Sequence, residues 1–272
     1  MPLCLLGLVG LSFGVWMFDE SDRSAVIRRV NGMYKGRRVI VLIPAFNEAG
    51  KIGRVVERID RRVIDTALVI DDGSTDGTGE IARGKGAAVL RVERRSGVGA
   101  ALRGGIEYAR NHREDIAIFM AGNDKDDPSE IPRLLDPICD QDFDLVMGSR
   151  YLEGGRAGGD MPLYRRLGTR WHPWLTGLLV GKRLTESTNG FRAFRLSLLD
   201  DPRINLNQPW LDAYGLEVYL LWKTLRLGYK HLEVPCTKTY PARATGYTKM
   251  TPIIGWWSIL RPVFLLSLGL RR

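Results

Sequence analysis

The sequence predicts an α/β fold, a mostly parallel sheet flanked by helices. Two observations carry this. The first is a pair of short, unbroken apolar runs, Val39-Ile40-Val41-Leu42-Ile43 and Leu68-Val69-Ile70. Each ends in polar, turn-forming residues: Pro44-Ala45-Phe46-Asn47-Glu48 in one case, Asp71-Asp72-Gly73-Ser74-Thr75-Asp76-Gly77-Thr78 in the other. Apolar runs without alternation suit strands buried on both faces. The second is the segment between them, where Ile52, Val55, Val56 and Ile59 recur at helical spacing and Glu57 stands four residues before Arg61. The result is a β-α-β unit with its acids at the carboxyl ends of two parallel strands. Open α/β sheets bind ligands at that edge.

The later elements follow in order. Ser96-Gly97-Val98-Gly99 opens a helix bearing Ala101, Leu102, Gly105, Ile106 and Ala109. Ile116 to Met120 and Asp144 to Met147 read as strands. Leu211, Tyr214, Val218, Leu221, Trp222 and Leu225 recur at helical spacing, with Gly228 as the stop. His231-Leu232-Glu233-Val234-Pro235 reads as an edge strand ended by proline, assigned to packing without chemistry.

Composition bounds the function. The 272 residues are 26% charged and 44% hydrophobic, a globular balance without repeats. The net charge of +9 is uneven. Residues 151–272 hold 18 Lys+Arg against 8 Asp+Glu, and residues 1–150 hold 22 against 23. Such asymmetry points to a polyanionic partner for the second half. Three scattered cysteines and three scattered histidines offer neither a disulfide framework nor a zinc site.

Both ends are apolar. Met1 to Phe18 carries no charged residue, and Arg23, Arg28, Arg29, Lys35, Arg37 and Arg38 follow close behind. As a helix this segment is about 27 Å long, close to a membrane span. It either spans or lies in the interface, with the basic side toward the cytoplasm. Residues 251–272 are rich in Trp and Leu, but Arg261-Pro262 interrupts them. That pair predicts two short helices in the head-group layer, the alternative being a helix packed on the domain. The expected division is a segment and basic linker at 1–36, a domain at 37–250, and an interfacial tail at 251–272.

Pro44 to Glu48 followed by Asp71 to Thr78 resembles the nucleotide-sugar half of family 2 glycosyltransferases. Further matches are Gly97 to Arg103, Met147-Gly148-Ser149-Arg150-Tyr151, Thr188-Asn189-Gly190-Phe191-Arg192-Ala193-Phe194-Arg195 and Gly246 to Met250. Their order is similar to that in polyprenyl-phosphate sugar transferases of the dolichol-phosphate mannose synthase type. The resemblance covers roughly residues 38 to 250. It implies a GT-A (Rossmann-like) domain with membrane-associating terminal segments.

The resemblance also implies inverting transfer of a sugar from a nucleotide-sugar to a polyprenyl (dolichyl or undecaprenyl) phosphate. The expected place is the cytoplasmic membrane face, for a monotopic or single-span protein; nucleic acid is not an expected partner. Donor contacts fall to Pro44, Ala45, Glu48 and Asp72. Asp71 satisfies loop amides instead, and Asp76 caps the next helix. Gly99 sits at a glycine-rich helix N-terminus suited to a phosphate or simply to close packing, and Arg94 or Arg95 reaches the diphosphate. Basic residues at Arg150, Arg166, Arg192, Arg243 and Lys249 face the acceptor phosphate or the diphosphate. Glu186 is the candidate base or orienter, or else it caps its loop or pairs with Arg183.

One motif departs from the family. Relatives carry Asp-x-Asp after the strand at 116–120, but here the two positions are Ala121 and Asn123, with Lys125 beyond. Mg²⁺ or Mn²⁺ held by Asn123 and Asp124 (or Asp126) is one expectation. Lys125 replacing the metal's charge on the diphosphate is the other. Two rivals remain: transfer to a sugar hydroxyl, and a degenerate domain that binds nucleotide-sugar without catalysis.

Overall fold

The structure, a computed structural model, describes residues 33–241 and 252–271. β1 (Val39–Ala45) leads through α1 (Ala49–Glu57) to β2 (Thr66–Asp71), then α2 (Thr78–Gly84) and β3 (Ala88–Arg91). α3 (Val98–Asn111), β4 (Ile116–Phe119), α4 (Ile131–Gln141) and β5 (Leu145–Ser149) follow. The chain then makes β6 (Arg156–Gly159) and α5 (Leu163–Val180) and re-enters the sheet as β7 (Arg192–Arg195). It ends with α6 (Gly215–Arg226), β8 (His231–Pro235), β9 (Thr237–Tyr240) and α7 (Pro252–Ser267).

Among the described residues, the main sheet has the order β3-β2-β1-β4-β7-β5-β8. Only β7 runs against its neighbours β4 and β5. β8 is the edge strand that its terminal proline predicts. β6 and β9 pair separately, in parallel. The apolar run in β1 is unbroken because both faces are covered. Val39, Val41 and Ile43 join the core with α1, α2 and α4, while Ile40 and Leu42 join the core with α3 and α6.

The reversed β7 matters for the site. The loops after β1, β2, β4 and β5 all leave the carboxyl edge of the sheet. Because β7 runs the other way, the segment before it, Glu186 to Gly190, arrives at the same edge. β9 follows the carboxyl end of β8 and crosses that edge, where Lys238 bridges to Asp126. Donor-side and acceptor-side motifs are thereby brought together.

Two local expectations are corrected. Glu57 does not pair with Arg61, because α1 ends at Glu57; its carboxylate holds Lys85 instead. The tail is one helix, not two. Pro262 lies inside α7 and packs on Gly215, where an added Cβ would sit 3.1 Å from the ring. The Arg261 guanidinium donates to the Trp210 carbonyl, so this end of the arginine is turned to the protein. Gly168 admits Trp256 at a distance no side chain would allow. α7 is therefore docked on α5 and α6. No described helix is long and apolar enough to cross a membrane. The Met1–Phe18 segment, Arg243 and Lys249 lie outside the described residues.

His172 of α5 ties this packing to the site. Its Nε2 faces the Ile259 carbonyl at 3.3 Å, so it carries the proton, and Nδ1 accepts from the Ser187 hydroxyl at 2.7 Å. Burial pushes its pKa down to about 4. The unfolded chain takes up a proton near pH 6.5, while the folded chain resists until about pH 4. Stability is therefore lost as pH falls through that window, by up to about 3 kcal/mol from this residue. Denaturant titrations between about pH 7 and pH 4 should show the loss, and His172→Gln should flatten it. An unchanged acid slope in the variant would contradict the assignment.

Candidate active site

On the donor side, two loops are laced together. Asn47 N–H donates to Ser74 Oγ at 2.9 Å, and Glu48 N–H donates to Thr78 Oγ1 at 2.8 Å. Asp76 accepts from Ala49 and Thr78 amides, which joins the starts of α1 and α2. Asp71 accepts from the Ser74 amide, as its loop role requires. Pro44 and Ala45 end β1, in register with Ile70 and Asp71. The Glu48 carboxylate pairs with Lys51 at 3.1 Å, one turn along. Arg95 stacks over the Phe46 ring, 4.4 Å from its centroid.

Asp72 is buried at this edge and holds the next loop. Its oxygens accept from the Ser96 amide (2.7 Å), the Ser96 hydroxyl (2.7 Å) and the Gly97 amide (3.0 Å). Gly99 is not available to a donor phosphate. Its amide donates to the Asp212 and Ala213 carbonyls, and an added Cβ would sit 1.9 Å from the Leu211 carbonyl. The glycine is needed because the 211–213 segment crosses α3 there, so close packing explains the motif.

The loop after β4 does not form a cation cage. Ala121 has no donor atom. Asp124, in a left-handed turn, gives both oxygens to Arg54 (3.0 Å) and Arg58 (3.1 Å) on the α1 side. It is not placed as a metal ligand, because those two arginines neutralise it. Asp126 is buried and holds Lys238 Nζ at 2.5 Å and the Ala121 amide at 3.3 Å. The Asn123 side-chain oxygen is buried without a hydrogen-bond partner. Among the described residues, no group of three or more His, Cys, Asp or Glu could hold a metal ion. The donor set among the described residues does not fit a divalent cation.

Cations crowd the same loop. Lys125 is 5% exposed, and the Thr239 amide holds its carbonyl at 2.8 Å. Its ammonium lies 5.4 Å from the Tyr240 ring centroid. Burial, then Arg165, Lys238 and Lys51, press its pKa down to about 7. Lys238 also donates to the Asn189 side-chain oxygen at 2.9 Å. The sequence motifs assign no role to Lys238, Tyr240 or Lys51. Lys238 and Tyr240 share one face of a two-residue-period strand, a signal that only the partner loop makes meaningful.

On the acceptor side, Arg150 and Glu186 form a buried pair, at 2% and 0% side-chain exposure and 2.6 Å apart. Glu186 also accepts from the Ser187 and Thr188 amides and the Thr188 hydroxyl. Burial alone would raise its pKa, but Arg150 and these donors hold it low. Arg150 also donates to the Tyr240 hydroxyl and to Thr188. Both Glu186 oxygens accept hydrogen bonds, and its ion-pair partner is Arg150 rather than Arg183. Glu233 of β8 fixes the loop by accepting from the Thr185 and Glu186 amides. The edge strand read as packing alone therefore supports the site.

Arg192 does not face an acceptor. It is wholly buried in β7, with its guanidinium on the Asn189 and Glu217 carbonyls. The arginines that do gather are Arg150, Arg166 and Arg170. With Tyr151 and Ala157 they line a cavity of ≈ 330 Å³. Arg150 and Arg170 flank the Tyr151 ring, at 5.6 and 5.2 Å from its centroid.

Removing one partner of the buried pair leaves an uncompensated charge. Arg150→Ala and Glu186→Ala should each cost roughly 3–5 kcal/mol of folding stability. The double variant should be clearly more stable than the two losses added. Denaturant unfolding of all four proteins measures this. Single-variant losses below about 1 kcal/mol, the range of exposed pairs, would contradict the coupling.

The family model for Glycosyl transferase family 2 matches residues 40–203. The polyprenol monophosphomannose synthase of Mycolicibacterium smegmatis is 30% identical over 79% of this chain and 82% of its own. The dolichyl-phosphate hexose transferase of Haloferax volcanii is 34% identical over 84% of this chain and 93% of its own. Glucosyl-3-phosphoglycerate synthase from Mycobacterium tuberculosis, solved with Mn²⁺ and UDP, superposes with a TM-score of 0.63 at 22% identity. That match covers 87% of this chain and 82% of the other, a likeness that shows the shared α/β fold. With its motifs in order along the carboxyl edge of one sheet, the chain belongs to glycosyl transferase family 2.

Proposed function

We propose that this glycosyltransferase moves a hexosyl group from a nucleotide-sugar to the phosphate of a polyprenyl carrier, with inversion, at the cytoplasmic membrane face. The observation that carries the reading is the arginine cavity and the helix beside it. α5 supplies Arg166 and Arg170 to that cavity. The same helix exposes Leu163, Leu167, Trp171, Trp174 and Leu178, each 47–67% accessible. Their spacing puts all five on one face, with the two arginines at its margin. A phosphate in the cavity would leave its apolar chain beside an apolar face, and tryptophan and arginine together suit a head-group layer.

The chemistry favours a phosphate acceptor over a sugar hydroxyl. A hydroxyl needs a base, and Glu186 is committed to Arg150 and its own loop. A phosphate is already ionised. It needs only to be held in line behind the anomeric carbon, with charge neutralised around it. Arg150, oriented by Glu186, is the residue proposed to hold it, with Arg166, Arg243 and Lys249 as further basic contacts. The donor's base and ribose fall to the edge formed by Pro44, Ala45, Glu48 and Asp72. A metal at Asn123 would supply charge neutralisation on the diphosphate, but the donor set above does not fit one, and no step is routed through it.

Purified protein given labelled nucleotide-sugars and undecaprenyl or dolichyl phosphate should yield label in the organic phase. Arg166→Ala and Arg170→Ala should each raise KM for the lipid phosphate about tenfold or more, since a charged hydrogen bond is worth roughly 1.5–3 kcal/mol. Product formed only with a free sugar acceptor would overturn the reading.

Membrane binding should rest on apolar contact as well as charge. Trp171→Ala with Trp174→Ala should release much of the protein from anionic vesicles without changing its melting temperature, because both residues are exposed. Release of the unaltered protein by high salt alone would contradict an apolar dock.

A further inference from the structure

We propose that His172 is a positioning residue for the acceptor: it hands the docking of α7 on, through Ser187 and Glu186, to the arginine that faces the lipid phosphate. The inference rests on the acceptor reading above. It names a residue that acts on Arg150 without touching substrate and without moving a proton.

The connection runs atom to atom. The Ile259 carbonyl of α7 accepts from His172 Nε2 at 3.3 Å. A histidine whose Nε2 holds the proton has a bare Nδ1, so this carbonyl sets the tautomer of the ring. Nδ1 then accepts from the Ser187 hydroxyl at 2.7 Å, with the Thr176 hydroxyl farther off at 3.3 Å. The Ser187 amide donates to one Glu186 oxygen at 3.0 Å, and the other oxygen takes Arg150 Nε at 2.6 Å. Arg150 lines the cavity of ≈ 330 Å³. His172, Ser187 and Glu186 have no exposed surface, so water does not compete for these bonds.

The same helix carries the rest of the cavity. Helical spacing puts Gly168 and His172 on one face of α5, and Arg166 and Arg170 on the opposite face. On the first face, Gly168 receives the Trp256 ring, where an added Cβ would sit 2.3 Å from it. On the second, Arg166 and Arg170 line the cavity, and Thr169 beside them bonds the Tyr151 hydroxyl at 2.6 Å. α7 thus braces α5 from behind, although it lies outside the residues 40–203 that the family model matches. Arginine forks hold an anion well only when their direction is set beforehand.

Ser187→Ala tests this with the least disturbance, because it removes one hydroxyl and leaves the backbone donors of the loop. With undecaprenyl phosphate and a nucleotide-sugar that the enzyme uses, KM for the lipid phosphate should rise about three- to tenfold, the worth of one hydrogen bond. KM for the nucleotide-sugar should stay within about twofold on the same scale. Two amide variants separate positioning from packing. His172→Asn places an oxygen where Nδ1 lies and should keep most of the acceptor affinity. His172→Gln reaches only toward α7 and should behave like Ser187→Ala. An unchanged lipid KM in Ser187→Ala would overturn the proposal. So would equal rises in KM for both substrates, or like behaviour of the two amide variants, which would mark His172 as structural. The Arg150 Nε–H resonance in NMR reports the bond to Glu186 and needs no substrate. It should move in Ser187→Ala and His172→Gln and stay in His172→Asn. If the unaltered protein makes no lipid product, the acceptor reading fails, and this resonance alone decides the relay: unmoved in Ser187→Ala, it overturns the relay as well.

Discussion

The buried Arg150–Glu186 pair is the constraint on which the site depends. Removing two charges from water is expensive, and the cost is met only when every hydrogen-bonding position is filled. Here it is filled from several elements. Arg150 directly follows β5, Glu186 lies before β7, and Tyr240 comes from β9. Glu233 of β8 fixes the backbone of Thr185 and Glu186, and His172 ties Ser187 to α5 and α7. Shifting any one of these elements would leave a buried charge or amide unsatisfied. The pair thus acts as a register pin for the acceptor half of the site. Through His172 and Ser187 it also links the docking of α7 to the loop that carries Glu186.

The donor half is organised by a different principle. Its acids, Asp71, Asp72 and Asp76, hold loop amides and so shape the edge. Positive charge reaches that edge from distant segments: Lys51 on α1, Lys125 after β4, Arg165 on α5 and Lys238 on β9. The basic excess of residues 151–272 is therefore more than solvated surface. Part of it faces inward, toward the two anions that a phosphate-to-phosphate sugar transfer brings together.

Local patterns were legible where their cause was local. The unbroken runs of β1 and β2 reveal strands covered on both faces, and the spacing of Ile52, Val55 and Val56 reveals the buried face of α1. Patterns with distant causes are ambiguous or silent in the sequence. The glycines at 97–99 suit an anion or close packing, and the 211–213 carbonyls decide for packing. Arg192 stands in a strong family-like motif, yet its environment is two carbonyls in the core. Arg261-Pro262 suggests a break, but the Trp210 carbonyl and Gly215 accommodate both residues inside one helix. Lys238 and Tyr240 carry no local signal, because their meaning comes from the loops they cross.

The most direct test of the account is a structure of the protein in a lipid nanodisc with a nucleoside diphosphate and a polyprenyl phosphate. The account predicts the nucleotide along the edge formed by Pro44, Ala45, Glu48 and Asp72, and the lipid phosphate among Arg150, Arg166 and Arg170, with its chain leaving along the exposed face of α5. A nucleotide bound away from that edge, or a lipid phosphate bound outside the arginine cavity, would contradict it.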